Sequence, residues 1–281
     1  MEYAKILSTE LNVPEQYAAA AIALIDEGNT IPFIARYRKE ATNAMDDQVL
    51  RTLAERLDYL RGLEKRKGEV AAVITEQGAM TEELERALAA AKTLAEVEDL
   101  YRPYKPKRKT RASVAKARGL EPLAQALRAQ DARLDVQAEA KKYITEEVPD
   151  AETALAGARD ILAEQVSDDA ALRAELRKFY RAFGLVKSKT AKEEDSVYAQ
   201  YYDFLEPVNR IAGHRVLALD RGEREEFLKV SVEVDPERAC GIARRMFVKK
   251  SGGASAAWTR PCRTRMPALC SPAWSGRCAR P

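Results

Sequence analysis

Leu50, Leu53, Leu57, Leu60 and Leu63 recur three or four residues apart, a spacing that lines them along one face of an α-helix. Asp46 and Asp47 precede the run, where a carboxylate can cap the first free amides and suits the positive end of the helix dipole. Gly78 follows it, so the spacing predicts a helix from about Asp47 to Gln77. One apolar seam on so long a helix has to be covered by other amphipathic helices, because most helical stability in water comes from packing. Arg51, Glu55, Arg56, Glu64, Lys65, Arg66 and Lys67 fill the remaining faces and read as a solvated surface.

The neighbouring sequence supplies the covering helices. Ile6, Leu7 and Leu11 have helical spacing, and a second helix from Pro14 carries Tyr17, Ala21, Leu24 and Ile25 and stops at Gly28. Asn29 and Thr30 then offer a cap to the short segment IPFIARYRKE, predicted to turn Phe33, Ile34 and Tyr37 inward and Arg36, Arg38 and Lys39 outward. Two helices joined at Gly28 have the outline of a helix-turn-helix, which plain packing units share. Thr81 before Glu82 and Glu83, and Thr93 with Glu96, start two more. Further helices follow over Ser113–Ala117, over Gly119–Leu127, after Pro149 and Asp150, and after Ser167 and Asp168, the last presenting Leu172, Leu176, Phe179 and Phe183.

The predicted fold is therefore all-α: an elongated multi-helix scaffold with helix-turn-helix-like units. The helical domain is expected over residues 1–190, with the start of a following module over 191–252. Lys187 to Lys192, KSKTAK, reads as a basic hinge between them. Beyond it Tyr198, Tyr201, Tyr202 and Phe204 are dense enough to stack bases, but core packing is the simpler reading. Leu228, Val230, Val232 and Val234 alternate with Lys229, Ser231 and Glu233, the one clear strand in the sequence. An isolated strand leaves its backbone groups unpaired, so the chain reads as cut short.

The segment between the helical blocks, EDLYRPYKPKRKTRA, has a different character. Pro103 and Pro106 remove backbone donors and restrict the residues before them, so Tyr101 to Lys107 reads as an exposed, semi-rigid connector. Lys105, Lys107, Arg108, Lys109 and Arg111 place five cations within seven residues, with Tyr101 and Tyr104 beside them. Cations for phosphates and rings for bases are what nucleic-acid surfaces use. A solvated linker would show the same composition.

Residues 253–281 break with everything before them. They hold both tryptophans, Cys262, Cys270 and Cys278, five arginines and no Asp, Glu or Lys. Removing those five charges from the net +3 leaves the first 252 residues at −2, so attraction to polyanions has to come from local patches. The tail reads as a GC-rich gene translated in the wrong frame and as disordered; a basic nucleic-acid-binding tail or a cysteine-rich metal segment are the alternatives. No pair of cysteines has CxxC spacing and His214 is the lone histidine, so neither a metal nor another cofactor is expected. No glycine-rich phosphate loop or paired nucleophile and base suggests an enzyme, and no catalytic residue is assigned. No apolar run nears the roughly 20 residues of a membrane span, so no membrane association and a cytoplasmic location are expected.

Three blocks in order, TIPFIARYRKEAT (Thr30 to Thr42), EDLYRPYKPKRKTRA (Glu98 to Ala112) and YYDFLEPVNRIAGHRVLALDRGE (Tyr201 to Glu223), resemble the bacterial Tex family of transcription accessory proteins and a eukaryotic transcription elongation factor. The resemblance runs to about residue 252. Asn43 and Ala44 stand where the family often has glycine, and Asp220 where it often has asparagine. The family implies a helical scaffold that continues into a ribonuclease-H-like module, helix-hairpin-helix units and an oligonucleotide-binding barrel, and it implies no catalytic residues in this region. The chain is thus expected to be a truncated N-terminal region of a transcription accessory protein that binds RNA or DNA, weakly without the barrel. Lys105, Lys107, Arg108, Lys109 and Arg111 are the expected phosphate contacts, Tyr104 lies beside them, and Arg36, Arg38 and Lys39 are secondary. Five neutralised phosphates would give a slope of log affinity on log salt of about −3.5 to −4.5. The alternative is a helical scaffold docking on the transcription or translation machinery, with RNA polymerase or the ribosome as partner.

Overall fold

A computed structural model of the protein describes residues 2–106, 109–131, 133–192 and 196–248. Lys107, Arg108 and the whole tail from 253, with the frame-shift reading attached to it, lie outside the described residues. The chain divides into two compact units, Met1–Tyr101 and Arg102–Pro281.

The first unit is built on the leucine seam. α1 (Glu2–Leu11), α2 (Glu15–Asp26) and α3 (Ile31–Tyr37) lie against the first half of α4 (Asp47–Glu76), while α5 (Glu82–Ala90) and α6 (Leu94–Tyr101) lie against its second half. The Asp46 carboxylate accepts the Val49 amide at 2.8 Å and so caps α4, as its position in the sequence predicts. Leu50, Leu53 and Leu57 are fully buried with Leu7, Ala18, Ala21 and Ile34, each large side chain contributing about 1.5–3 kcal/mol. Further along α4, Val70 and Ile74 continue the buried face. Across the seam's solvent side, Arg56 makes a two-pronged bridge to Glu10 of α1, at 2.6 and 2.7 Å.

Gly28 ends α2 in the left-handed region, φ 83°, and donates to Ile25 while Asn29 donates to Leu24. That pairing closes the last carbonyls of α2, and the Asn29 side chain adds a second bond to Leu24 at 2.9 Å. Asn29 thus caps the helix before it and not the one after. After α3 the chain turns through Asn43 and Ala44, both left-handed at φ 52° and 53°, into α4.

In the second unit α7 (Arg111–Ala117), α8 (Glu121–Ala129) and α9 (Val136–Lys141) pack on α10 (Ala151–Asp168), and α11 (Ala170–Phe183) pairs with α13 (Pro236–Phe247). Leu120, Leu123, Leu127, Ile161 and Leu162 fill its core, which Ala239, Cys240 and Ala243 complete. The cap of α11 is Asp169, accepting from Leu172 at 2.8 Å, while Ser167 and Asp168 stay inside α10 and are buried.

The alternating segment is not isolated. It is β3 (Leu228–Glu233), and it pairs antiparallel with β1 (Leu185–Thr190), which pairs on its other side with β2 (Asp203–Pro207). Val186 lies opposite both Glu206 and Val232, and Ser188 opposite Phe204 and Val230. The basic hinge expected at Lys187 to Lys192 is instead largely the central strand: Val186 and Ser188 are fully buried while Lys189 is exposed. With one apolar residue on its inner face, β1 carries too little alternation to be read as a strand. Tyr198 and Tyr201 are buried between this sheet and α12 (Gly213–Arg224), so the aromatic cluster is core. His214 is exposed on the first turn of α12. Thirteen helices and three strands make the described residues mainly helical, and none of the helices is long and apolar enough to cross a membrane.

Candidate nucleic-acid interface

The proline-rich segment begins where the first unit ends. Tyr101, the last residue of α6, is buried and lies 5.5 Å beneath the Arg66 guanidinium, so it is not available for stacking on bases. Arg66 in turn donates to Glu98 at 2.7 Å, and the Glu98 and Glu69 carboxylates push its already high pKa further up.

From Arg102 the segment belongs to the second unit, where both of its ends are tied to α10. Arg102 donates to Asp168 at 2.9 Å, and the Thr110 hydroxyl donates to Glu164 at 3.0 Å. Glu164 and Asp168 are four residues apart on α10, one turn of the same face. The segment is therefore strapped at both ends to one turn of α10, and of its described residues Pro103, Lys105, Pro106 and Lys109 are exposed. Thr110 also caps α7: its hydroxyl oxygen accepts the Ser113 amide at 3.0 Å, and its own amide donates to Ser113 Oγ at 2.8 Å. α7 buries Ala112 and Ala115 and packs closely on α10, where Gly157 faces Ala115 without a side chain.

Lys105, Lys109 and Arg111 are exposed, and none forms an ion pair among the described residues. Tyr104 is half-buried, and Pro103 and Pro106 are exposed. Arg111 is the first residue of α7, where the helix dipole disfavours a cation, so its charge is not placed there to stabilise the helix. Lys107 and Arg108 lie outside the described residues. The two anchors on α10 had no signal in the sequence, because they join residues 54 and 66 positions apart.

The secondary candidates sit in the first unit. Arg36, Arg38 and Lys39 are exposed at the end of α3 and just beyond it. The expectation that Phe33 and Tyr37 face inward is overturned, since Phe33 is 37% and Tyr37 69% exposed; only Ile34 of that trio is buried. The seven residues of α3 bury one narrow face, and Ile34 takes it. Phe33 and Tyr37, four apart on a neighbouring face, pair with each other at 5.2 Å between ring centroids. The Arg38 guanidinium lies over Phe33 at 5.6 Å.

Comparison with known proteins follows these regions. The family model for the Tex-like protein N-terminal domain matches residues 1–75, and the one for the Tex central region matches residues 131–266. The strap lies between the two matches, and α3 within the first. The chain is 42% identical over 279 residues to Protein tex of Bordetella pertussis, covering 95% of this chain and 35% of that protein. It is 45% identical over 242 residues to the Transcriptional accessory protein Tex of Neisseria gonorrhoeae, covering 84% of this chain and 32% of the relative. A more distant match is the human S1 RNA-binding domain-containing protein 1, at 31% over 243 residues, 82% of this chain and 24% of that protein. The chain thus spans about a third or less of the length of these relatives.

Proposed function

Since this chain belongs to the Tex family over its N-terminal and central regions, we propose that it is the helical part of a transcription accessory protein that binds RNA or DNA without catalysis. Its phosphate contacts are Lys105, Lys107, Arg108, Lys109 and Arg111, with Tyr104 at their side and Arg36, Arg38 and Lys39 as a secondary group. The observation that carries this reading is the strap. Its ends are fixed to one turn of α10 by Arg102 and Thr110, while Lys105, Lys109 and Arg111 project without carboxylate partners among the described residues. Fixed ends limit the conformational freedom lost when phosphates are engaged, which favours binding over a free linker of the same composition. The names of the relatives, one a transcriptional accessory protein and another an S1 RNA-binding domain protein, agree with it.

The test is the salt dependence of oligonucleotide binding. Replacing Lys105, Lys109 and Arg111 together by glutamine removes three phosphate contacts, so the slope of log affinity on log salt flattens by about 2 for a single strand and about 2.7 for a duplex. An unchanged slope in the triple variant would remove the strap from the interface.

A further inference from the structure

Two large aromatic side chains stand side by side on α3, Tyr37 largely and Phe33 partly in solvent, and neither belongs to the buried core of the first unit. Tyr37 is 69% exposed and Phe33 37%, in a helix whose core contact is made by Ile34. Arg36, Arg38 and Lys39 adjoin the pair in sequence, exposed and without ion-pair partners among the described residues, and Glu40 is the one acidic residue next to them. The charge is therefore arranged to meet an anion, and the rings to meet something flat or apolar. An apolar anchor of a partner peptide is held by a recess. Tyr37 instead projects, which offers a face to a planar group but no walls to an aliphatic one. The Arg38 guanidinium over Phe33 adds a third stacking surface at the same place.

We propose that Phe33, Tyr37 and Arg38 form a stacking site for the unpaired bases of a single-stranded nucleic acid, with Arg36 and Lys39 taking the adjoining phosphates. The inference rests on the nucleic-acid reading above and deepens it: it assigns base contact to residues outside the strap and makes the first unit selective for strands whose bases are free. A duplex hides the faces of its bases in its own stack, so it reaches only the cations of this patch. The rings are tilted by 44° to each other, so they serve two bases that are not stacked on one another.

The experiment compares two probes on the intact chain at low salt: a single-stranded oligonucleotide, and an abasic oligonucleotide of the same length with the same phosphates and no bases. The natural strand is expected to bind about tenfold or more tighter, stacking on an aromatic ring being worth about that per base. A Phe33→Leu, Tyr37→Leu double variant should bring the two affinities together while leaving the salt slope as it was, and Tyr37→Phe alone should keep the difference. A 2-aminopurine base in the natural strand should lose fluorescence on the wild-type protein and not on the double variant. Both rings lie at the surface, so circular dichroism of the double variant should match the wild type. Equal affinity of the two probes for the wild-type protein would overturn the stacking site and leave the phosphate reading standing. Poly-glutamate binding as tightly as the natural strand would also overturn it, in favour of an acidic protein partner. Binding of neither oligonucleotide would overturn the nucleic-acid reading and the stacking site with it.

Discussion

Replacing Ala44 by glycine should stabilise the first unit, although glycine ordinarily destabilises. Asn43 and Ala44 occupy the left-handed region in succession, at φ 52° and 53°, where the chain leaves α3 and turns into α4. Asparagine tolerates that region through its side chain, but alanine sets its Cβ against the following carbonyl at a cost of about 1–2 kcal/mol. Glycine removes the clash and returns about 0.4–1 kcal/mol of it as extra freedom in the unfolded chain. The difference is a gain of about 0.5–1 kcal/mol, or about 2–8 °C in the melting temperature of a unit this size. Ala44 is exposed, so no packing is lost in the exchange. The control is Ala41→Gly, three residues earlier in the same connection but with no positive φ, which should lower the melting temperature. Scanning calorimetry of both variants decides the matter. If Ala44→Gly falls as far as Ala41→Gly, the turn is not where strain is held.

Two further outcomes concern the second unit. At Gly157 an added Cβ would stand 2.4 Å from Leu120 Cδ1 and 3.3 Å from Ala115 Cβ, so Gly157→Ala should destabilise by about 1–2 kcal/mol despite the better helix propensity of alanine. Combining it with Leu120→Ala should cost less than the sum of the two, and additive losses by denaturant titration would refute the close contact. Glu223 accepts the Val230 amide at 3.3 Å, and burial, aided by neighbouring Asp220, holds its pKa above the ordinary carboxylate value. The fold thus favours the protonated form more than the unfolded chain does, and the stability this contributes at low pH is lost as pH rises through the raised pKa. Glu223→Gln keeps the acceptor without the charge, so its melting temperature relative to wild type should improve from pH 4 to pH 8; a difference independent of pH would contradict the desolvation.

Much of the architecture was legible because its signals are local. The Leu50 to Leu63 seam, the Asp46 cap and the Gly78 stop lie within a few residues of what they control, and α4 runs from Asp47 to Glu76 as that spacing requires. The errors arose where the deciding partner is distant. β1 was hidden because Lys187 and Lys189 point outward and its inner face is Val186 and Ser188, so its strand character comes from β2 and β3 and not from its own alternation. Phe33 and Tyr37 were misplaced for the opposite reason: their spacing is that of a core face, yet a two-turn helix has room for one contact, and Ile34 makes it.

The candidate interface divides along the same line. Its cations can be counted in the sequence, since charge is a property of each residue. Whether they form a site depends on Glu164 and Asp168, which the sequence places in an unrelated helix and the fold brings beneath the two ends of the strap. Those carboxylates have a second consequence. Asp168 is nearly buried and its charge is met by Arg102, so the α10 surface under the strap does not draw Lys105 and Lys109 down onto it through that group. Removing Arg102 would take this partner from the buried Asp168 carboxylate, loosening one end of the strap and withdrawing one positive charge from beside the other cations. Both effects oppose phosphate binding, which makes Arg102 a positioning residue for a surface it need not touch.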